Sequence, residues 1–76
     1  MPWCYRVIRW AKEEYISYGI HEVYSDSAGN IDGYTIDGIA PLGETLDDLK
    51  EDMKYMAAAL LKPVLQEVDG KLIECT

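Results

Sequence analysis

The chain has 76 residues, 49% of them apolar, with fourteen acidic side chains against seven basic and a net charge of −7. That length suits one domain near the lower limit at which a single core holds without staples, and the apolar share argues against a disordered polymer. The acidic balance disfavours direct binding to nucleic-acid phosphates and is consistent with plain solubility or with a basic partner.

Phe is absent, while Tyr occurs six times and Trp twice. Tyrosine buries a ring but keeps a hydroxyl that seeks water or a partner, so it suits half-buried sheet faces and interfaces. Met1-Pro2-Trp3-Cys4 lacks the charged and apolar regions of a secretory signal, and no run reaches the roughly eighteen apolar residues of a membrane span. A cytoplasmic protein without a membrane partner is therefore expected. Its Cys4 and Cys75 would be reduced, and their spacing fits no metal site.

In chain order, Cys4 to Trp10 reads as a first strand. Tyr5 and Val7 fall on one side, and Arg6, Ile8 and Trp10 on the other, so both faces are partly covered. Lys12-Glu13-Glu14 suits a hairpin loop. Tyr15 to Tyr24 reads as a second strand, with Ile16, Tyr18, Ile20 and Tyr24 on its apolar face and Ser17, Gly19, His21 and Val23 on the other. Glu22 interrupts the apolar face, and Gly19 marks a bulge or a close backbone approach. Asp26-Ser27-Ala28-Gly29-Asn30 reads as a turn, in which Asp26 bonds back to following amides and Gly29 supplies a positive φ.

Asp26, Asn30 and Asp32 raise the question of calcium. An EF-hand loop needs an oxygen ligand, Gly and Glu at places where this chain has Ala28, Ile31 and Asp37. Ile31 to Ile39 reads as a third strand bracketed by Gly33 and Gly38, and neither glycine belongs to a phosphate-binding motif. Ala40-Pro41-Leu42-Gly43 then leads to a helix. Thr45 is the expected N-cap, with Asp48 as a capping-box acid, and Asp47, Asp48, Glu51 and Asp52 complement the dipole of the first two turns. Leu46, Leu49, Met53, Met56, Ala57 and Leu60 form the expected buried stripe, Lys62 closes the helix and Pro63 stops it. Val64 to Val68 and Lys71 to Cys75 flank Asp69-Gly70, a strong hairpin signal. One of these two arms is expected to add an edge strand to the sheet, and the first could instead run as irregular chain across it.

No catalytic residue, metal or cofactor is expected. His21 is the only histidine, and the adjacent Glu22 points to the opposite strand face, so it cannot orient the imidazole. Ser17 lies on the same face as His21, but no triad spacing supports the pair.

The segment Gly43-Glu44-Thr45-Leu46-Asp47-Asp48-Leu49, preceded by three strands, resembles the N-terminal domain of HicB-type antitoxins, which have a β-β-β-α-β order and a similar helix opening. The family's Pro-Asp-Leu-Pro-Gly-Cys segment before that helix is replaced here by Asp37 to Gly43, Leu49 stands where Ala is frequent, and no DNA-binding segment follows. Tyr5 to Ile8 and Ile20 to Tyr24 also resemble a family of short bacterial proteins that carry Tyr-Arg-Val-Ile and Ile-His-Glu-Val-Tyr and imply no known activity.

The expected fold is α+β: a three- to four-stranded antiparallel sheet with one amphipathic helix on one face, as a single domain over 1–76. The expected role is a non-catalytic protein-interaction module. It would be HicB-like, would neutralise a basic partner, or would associate with a second copy through an edge strand or the open sheet face. Tyr18, His21, Tyr34, Asp47, Asp48 and Glu51 are the candidate interaction residues. The alternative is a small-ligand-binding or enzymatic domain using the sheet face around His21.

Overall fold

The computed structural model describes residues 3–75, with Lys12 by its backbone alone. Strands β1 (Trp3–Lys12) and β2 (Tyr15–Ser25) form a long antiparallel hairpin in register from Trp3↔Tyr24 to Lys12↔Tyr15, turning at Glu13 and Glu14. Strand β3 (Ile31–Tyr34) pairs antiparallel with the end of β2. Helix α1 (Leu46–Ala59) follows, and β4 (Leu65–Val68) and β5 (Lys71–Glu74) close the chain as a second hairpin.

The fold is α+β with one helix, but the sheet has five strands and is mixed, in the order β3-β2-β1-β4-β5. This corrects the expected three- to four-stranded antiparallel sheet. Both arms of the C-terminal hairpin enter the sheet, and β4 lies parallel to β1 through Ile8↔Leu65 and Arg9↔Gln66. A chain that leaves β3 and returns through a helix can bring its next strand alongside β1 in the same direction, which a tight turn cannot do.

The turns follow local chemistry. Asp26 Oδ1 accepts the amides of Ala28 and Asn30, each at 2.9 Å, and Gly29 has φ +86°. Asp69 and Gly70 both have positive φ, 52° and 81°, as a two-residue turn of the type I′ class requires. The expected third strand is shorter than Ile31 to Ile39, for a reason visible in its hydrogen bonds. Thr35 N donates to Glu22 O at 3.0 Å and Ile39 N to Ile20 O at 2.8 Å. Four steps along this segment therefore match two along β2, and Ile36, Asp37 and Gly38 loop outward, all exposed.

Thr45 caps α1, its Oγ1 accepting the Asp48 amide at 3.1 Å. The helix ends at Ala59, and Leu60, Leu61 and Lys62 continue as a tighter turn through i→i−3 bonds. Lys62 therefore lies beyond the last helical turn, which holds no basic residue. Gly43 lets the incoming loop cross the first turn closely: a Cβ there would lie 2.7 Å from the Asp48 carbonyl carbon and 2.8 Å from Leu49 Cα.

Two apolar clusters occupy opposite faces of the sheet. Tyr5, Val7, Met56 and Ala59 pack between β1 and α1, joined by Trp3, Ile20, Ile39 and Val64. Ile8, Val23 and Leu65 pack on the other face with Trp10, Tyr34 and Leu72. The sheet curls, so that residues of both edge strands, among them Tyr34 and Leu72, line one cavity of about 600 Å³ with Arg6.

The inward side of α1 is rotated from the expected stripe. Met56 and Ala59 are buried and Leu49 and Asp52 half-buried, whereas Leu46, Met53, Ala57 and Leu60 are exposed. On β2 both faces are covered in part: Ile20 of the expected apolar face packs against the helix-side cluster while Ile16 and Tyr18 are exposed, and on the other face His21 and Val23 are buried while Ser17 is exposed. The chain carries more apolar side chains than one helix and one sheet face can cover, so periodicity alone does not choose the covered set.

Asp52 explains part of the rotation. Its Oδ1 accepts the Tyr5 hydroxyl at 2.6 Å and its Oδ2 the Leu42 amide at 2.9 Å, clasping α1 to β1 and to the preceding loop. The hydrogen bond to Asp52, then burial, push the Tyr5 phenol up to about 12 from an ordinary 10.0. The Tyr5 hydroxyl and the Leu42 amide hold the Asp52 carboxyl below its ordinary value. The raised phenol contributes stability that is full below pH 10.0 and is lost as pH climbs towards about 12. The lowered carboxyl contributes stability that is full above its ordinary value of 3.8 and is lost below it. In a phenolate absorbance titration of the folded protein, one tyrosine is expected to ionise near pH 12, and Asp52→Ala should return that step towards 10. An unchanged late step in the variant would break the assignment.

Candidate functional site

His21 sits at the centre of the sheet face away from the helix, 1% exposed. Trp10 Nε1 donates to its Nε2 at 3.1 Å, and Nδ1 lies 2.8 Å from the Thr35 carbonyl oxygen. An indole N–H can only donate, so Nε2 must be the bare acceptor and Nδ1 must carry the proton that Thr35 O accepts. The neighbours thus fix one neutral tautomer. The Trp10 ring meets His21 edge-to-face at 5.7 Å and lies 6.0 Å from the Tyr34 ring. Thr35 is itself anchored, its Oγ1 accepting the Glu22 amide at 3.2 Å.

Gly19 makes room for this group. It lies in an unbroken register opposite Ile8, so it marks no bulge. A Cβ at Gly19 would stand 3.0 Å from His21 Nε2 and 3.8 Å from Gly38 Cα. Of the two meanings open to this glycine, close backbone approach is the one realised.

Beside His21 lies a cavity of about 640 Å³. Trp10, Ser17 and His21 form its floor, the Ile36-Asp37-Gly38 loop one wall, and Tyr15, Tyr18 and Glu67 further parts of its rim. Tyr15, Tyr18 and Ile36 are 62%, 63% and 75% exposed, so the rim is open to a partner.

The candidate residues separate into two groups. His21 and Tyr34 meet around Trp10, and Tyr18 borders the same cavity. Asp47, Asp48 and Glu51 stand exposed on α1, across the sheet from His21. Trp10, Tyr15, Asp37 and Glu67 were not among the sequence candidates. The signal for Asp37 was an acidic residue followed by glycine inside an otherwise apolar run, a pattern that marks an interrupted strand.

The chemistry available to His21 is narrow. Both ring nitrogens are occupied, and among the described residues no hydrogen bond links Ser17 to the imidazole. To act as a base it would have to release Trp10. Among the described residues no group of three or more His, Cys, Asp or Glu is arranged to hold a metal ion. Cys4 and Cys75 are free and half-buried, and no described helix is long and apolar enough to cross a membrane. Comparison of the chain with models of known families, with curated proteins and with solved structures gives no match.

Proposed function

We propose that this chain is a non-catalytic protein-interaction module that binds a basic protein. The observation that carries this reading is the state of the single histidine. His21 serves as a hydrogen-bonded strut in the wall of the cavity, while Tyr15 on the same face of β2 and Ile16 and Tyr18 on the other stand exposed, in a chain with net charge −7. Exposed aromatic side chains on an acidic surface suit association better than turnover.

The order β1-β2-β3-α1-β4 and the Thr45-capped helix opening also support a HicB-like role, in which the basic partner is a small ribonuclease-like toxin. The small-ligand reading rests on the cavity beside His21 and Ser17, and requires that Trp10 give up its bond to Nε2.

Binding to the basic product of a neighbouring gene, measured by calorimetry, should weaken steadily as salt rises. The screening length falls from about 10 Å at 0.1 M to about 3 Å at 1 M, so attraction between exposed charges fades over that range. Affinity that ignores salt, or no binding to any such partner, would sink the proposal.

A further inference from the structure

We infer that the cavity beside Trp10 receives a basic side chain, arginine or lysine, from the protein partner. This inference rests on the reading of the chain as an interaction module and names the spot where the partner would engage. Four cavities differ in the chemistry of their walls. The one around Arg6 balances Arg6 and Lys71 against Asp32 and Glu74. That between Trp3 and Tyr55 includes Lys62, and that beside Cys75 includes Arg9. Only the fourth joins aromatic side chains on the His21 face, Trp10 and Tyr15, to two carboxylates, Asp37 and Glu67, with no Lys or Arg among its described lining residues.

Such a wall has a physical preference. The faces of Trp and Tyr rings carry negative quadrupole density and attract a cation placed over them, and a nearby carboxylate adds direct attraction. A guanidinium can stack on a ring while its edge bonds a carboxylate. Asp37 is presented by the loop thrown outward between the Thr35 and Ile39 amide bonds, and it accepts no hydrogen bond among the described residues. Glu67 uses Oε1 to accept the Gly70 amide at 2.9 Å, which leaves Oε2 for an incoming donor. The floor is rigid, because Trp10 is pinned by His21 and His21 by Thr35. A preformed floor lowers the cost of ordering a site when a partner arrives.

The test is an amide NMR titration of the full chain with the tripeptide Gly-Arg-Gly, with Gly-citrulline-Gly as the neutral control. Expected are saturable shifts centred on the Trp10 indole, Ser17 and Asp37 with the arginine peptide and none with citrulline. Asp37→Asn combined with Glu67→Gln should weaken binding about tenfold, and Tyr15→Ala roughly threefold. Unchanged thermal melts of these variants, which alter exposed positions or keep the Oε1 acceptor, would show that the fold is intact. Absence of saturation, equal shifts with citrulline, or shifts spread equally over Asp47, Asp48 and Glu51 would overturn the inference.

A second arm uses the basic partner protein itself. If it binds wild type and the combined Tyr15, Asp37 and Glu67 variant alike, the cavity is not its contact, although the interaction module stands. If Gly-Arg-Gly saturates the cavity while no basic protein binds, the cavity's preference stands and the module reading fails.

Discussion

Replacing Ile8 with alanine is expected to destabilise the chain by about 2–5 kcal/mol, the range for emptying a buried aliphatic site. Ile8 is 0% exposed, and its neighbours Val23 and Leu65 are 2% and 1% exposed. No helix covers this cluster: it is closed by the curl of the sheet and by Trp10, Tyr34 and Leu72. A domain of this size has a total stability of only roughly 4–11 kcal/mol, so the substitution removes a large part of it. Ile8→Val should cost about 0.5–1.5 kcal/mol, because one methylene leaves a smaller void. The measurement is the midpoint of urea unfolding at constant slope. Leu65→Ala should act similarly, and the double variant should cost less than the sum, since both empty the same space. If Ile8→Ala moved the midpoint no more than an exposed substitution such as Leu61→Ala, the second core would not exist as described.

That second core was partly legible beforehand. The pattern Tyr5-Arg6-Val7-Ile8-Arg9-Trp10 puts apolar side chains on both sides of one strand, which is what a strand between two clusters requires. Turn chemistry was legible too: Asp26, Gly29 and Asp69-Gly70 act as their side chains and φ freedom dictate. Thr45 caps the helix for the same local reason.

What was not legible depends on tertiary choices. Nothing in Val64 to Val68 announces that β4 will run parallel to β1, because pairing direction is set by where the helix delivers the chain. The inward arc of α1 includes Asp52, and a carboxylate there makes sense only once the Tyr5 hydroxyl is seen opposite it. Likewise His21 looked like a polar-face residue because its two partners, Trp10 and Thr35, lie eleven and fourteen positions away in sequence. Of the candidate site, the sequence identified His21, Tyr18 and Tyr34, while Trp10, Asp37 and Glu67 join the cavity only through the β1–β2 register, the outward loop and the entry of β4.

His21→Phe is expected to cost about 2–4 kcal/mol, nearly as much as the core truncation but for a different reason. The phenyl ring fills most of the imidazole's space, so little cavity forms. It leaves the Thr35 carbonyl and the Trp10 indole N–H without partners, and each such buried group costs about 1–3 kcal/mol. His21→Gln, which can donate and accept at once, should recover part of the loss. Trp10→Phe removes one end of the same bond, and a double-variant cycle should show a coupling of at least about 0.5 kcal/mol. Nitrogen chemical shifts of the wild-type imidazole should report the tautomer with its proton on Nδ1, as the donor-only indole demands. These results bear directly on function. As a strut, His21 exchanged for glutamine should lower stability and, through a less firmly held Trp10, weaken the binding of a basic partner without abolishing it, whereas a catalytic base cannot be exchanged without loss of turnover. Additive His21 and Trp10 variants, or an Nε2-protonated ring, would remove the strut and reopen the imidazole to chemistry.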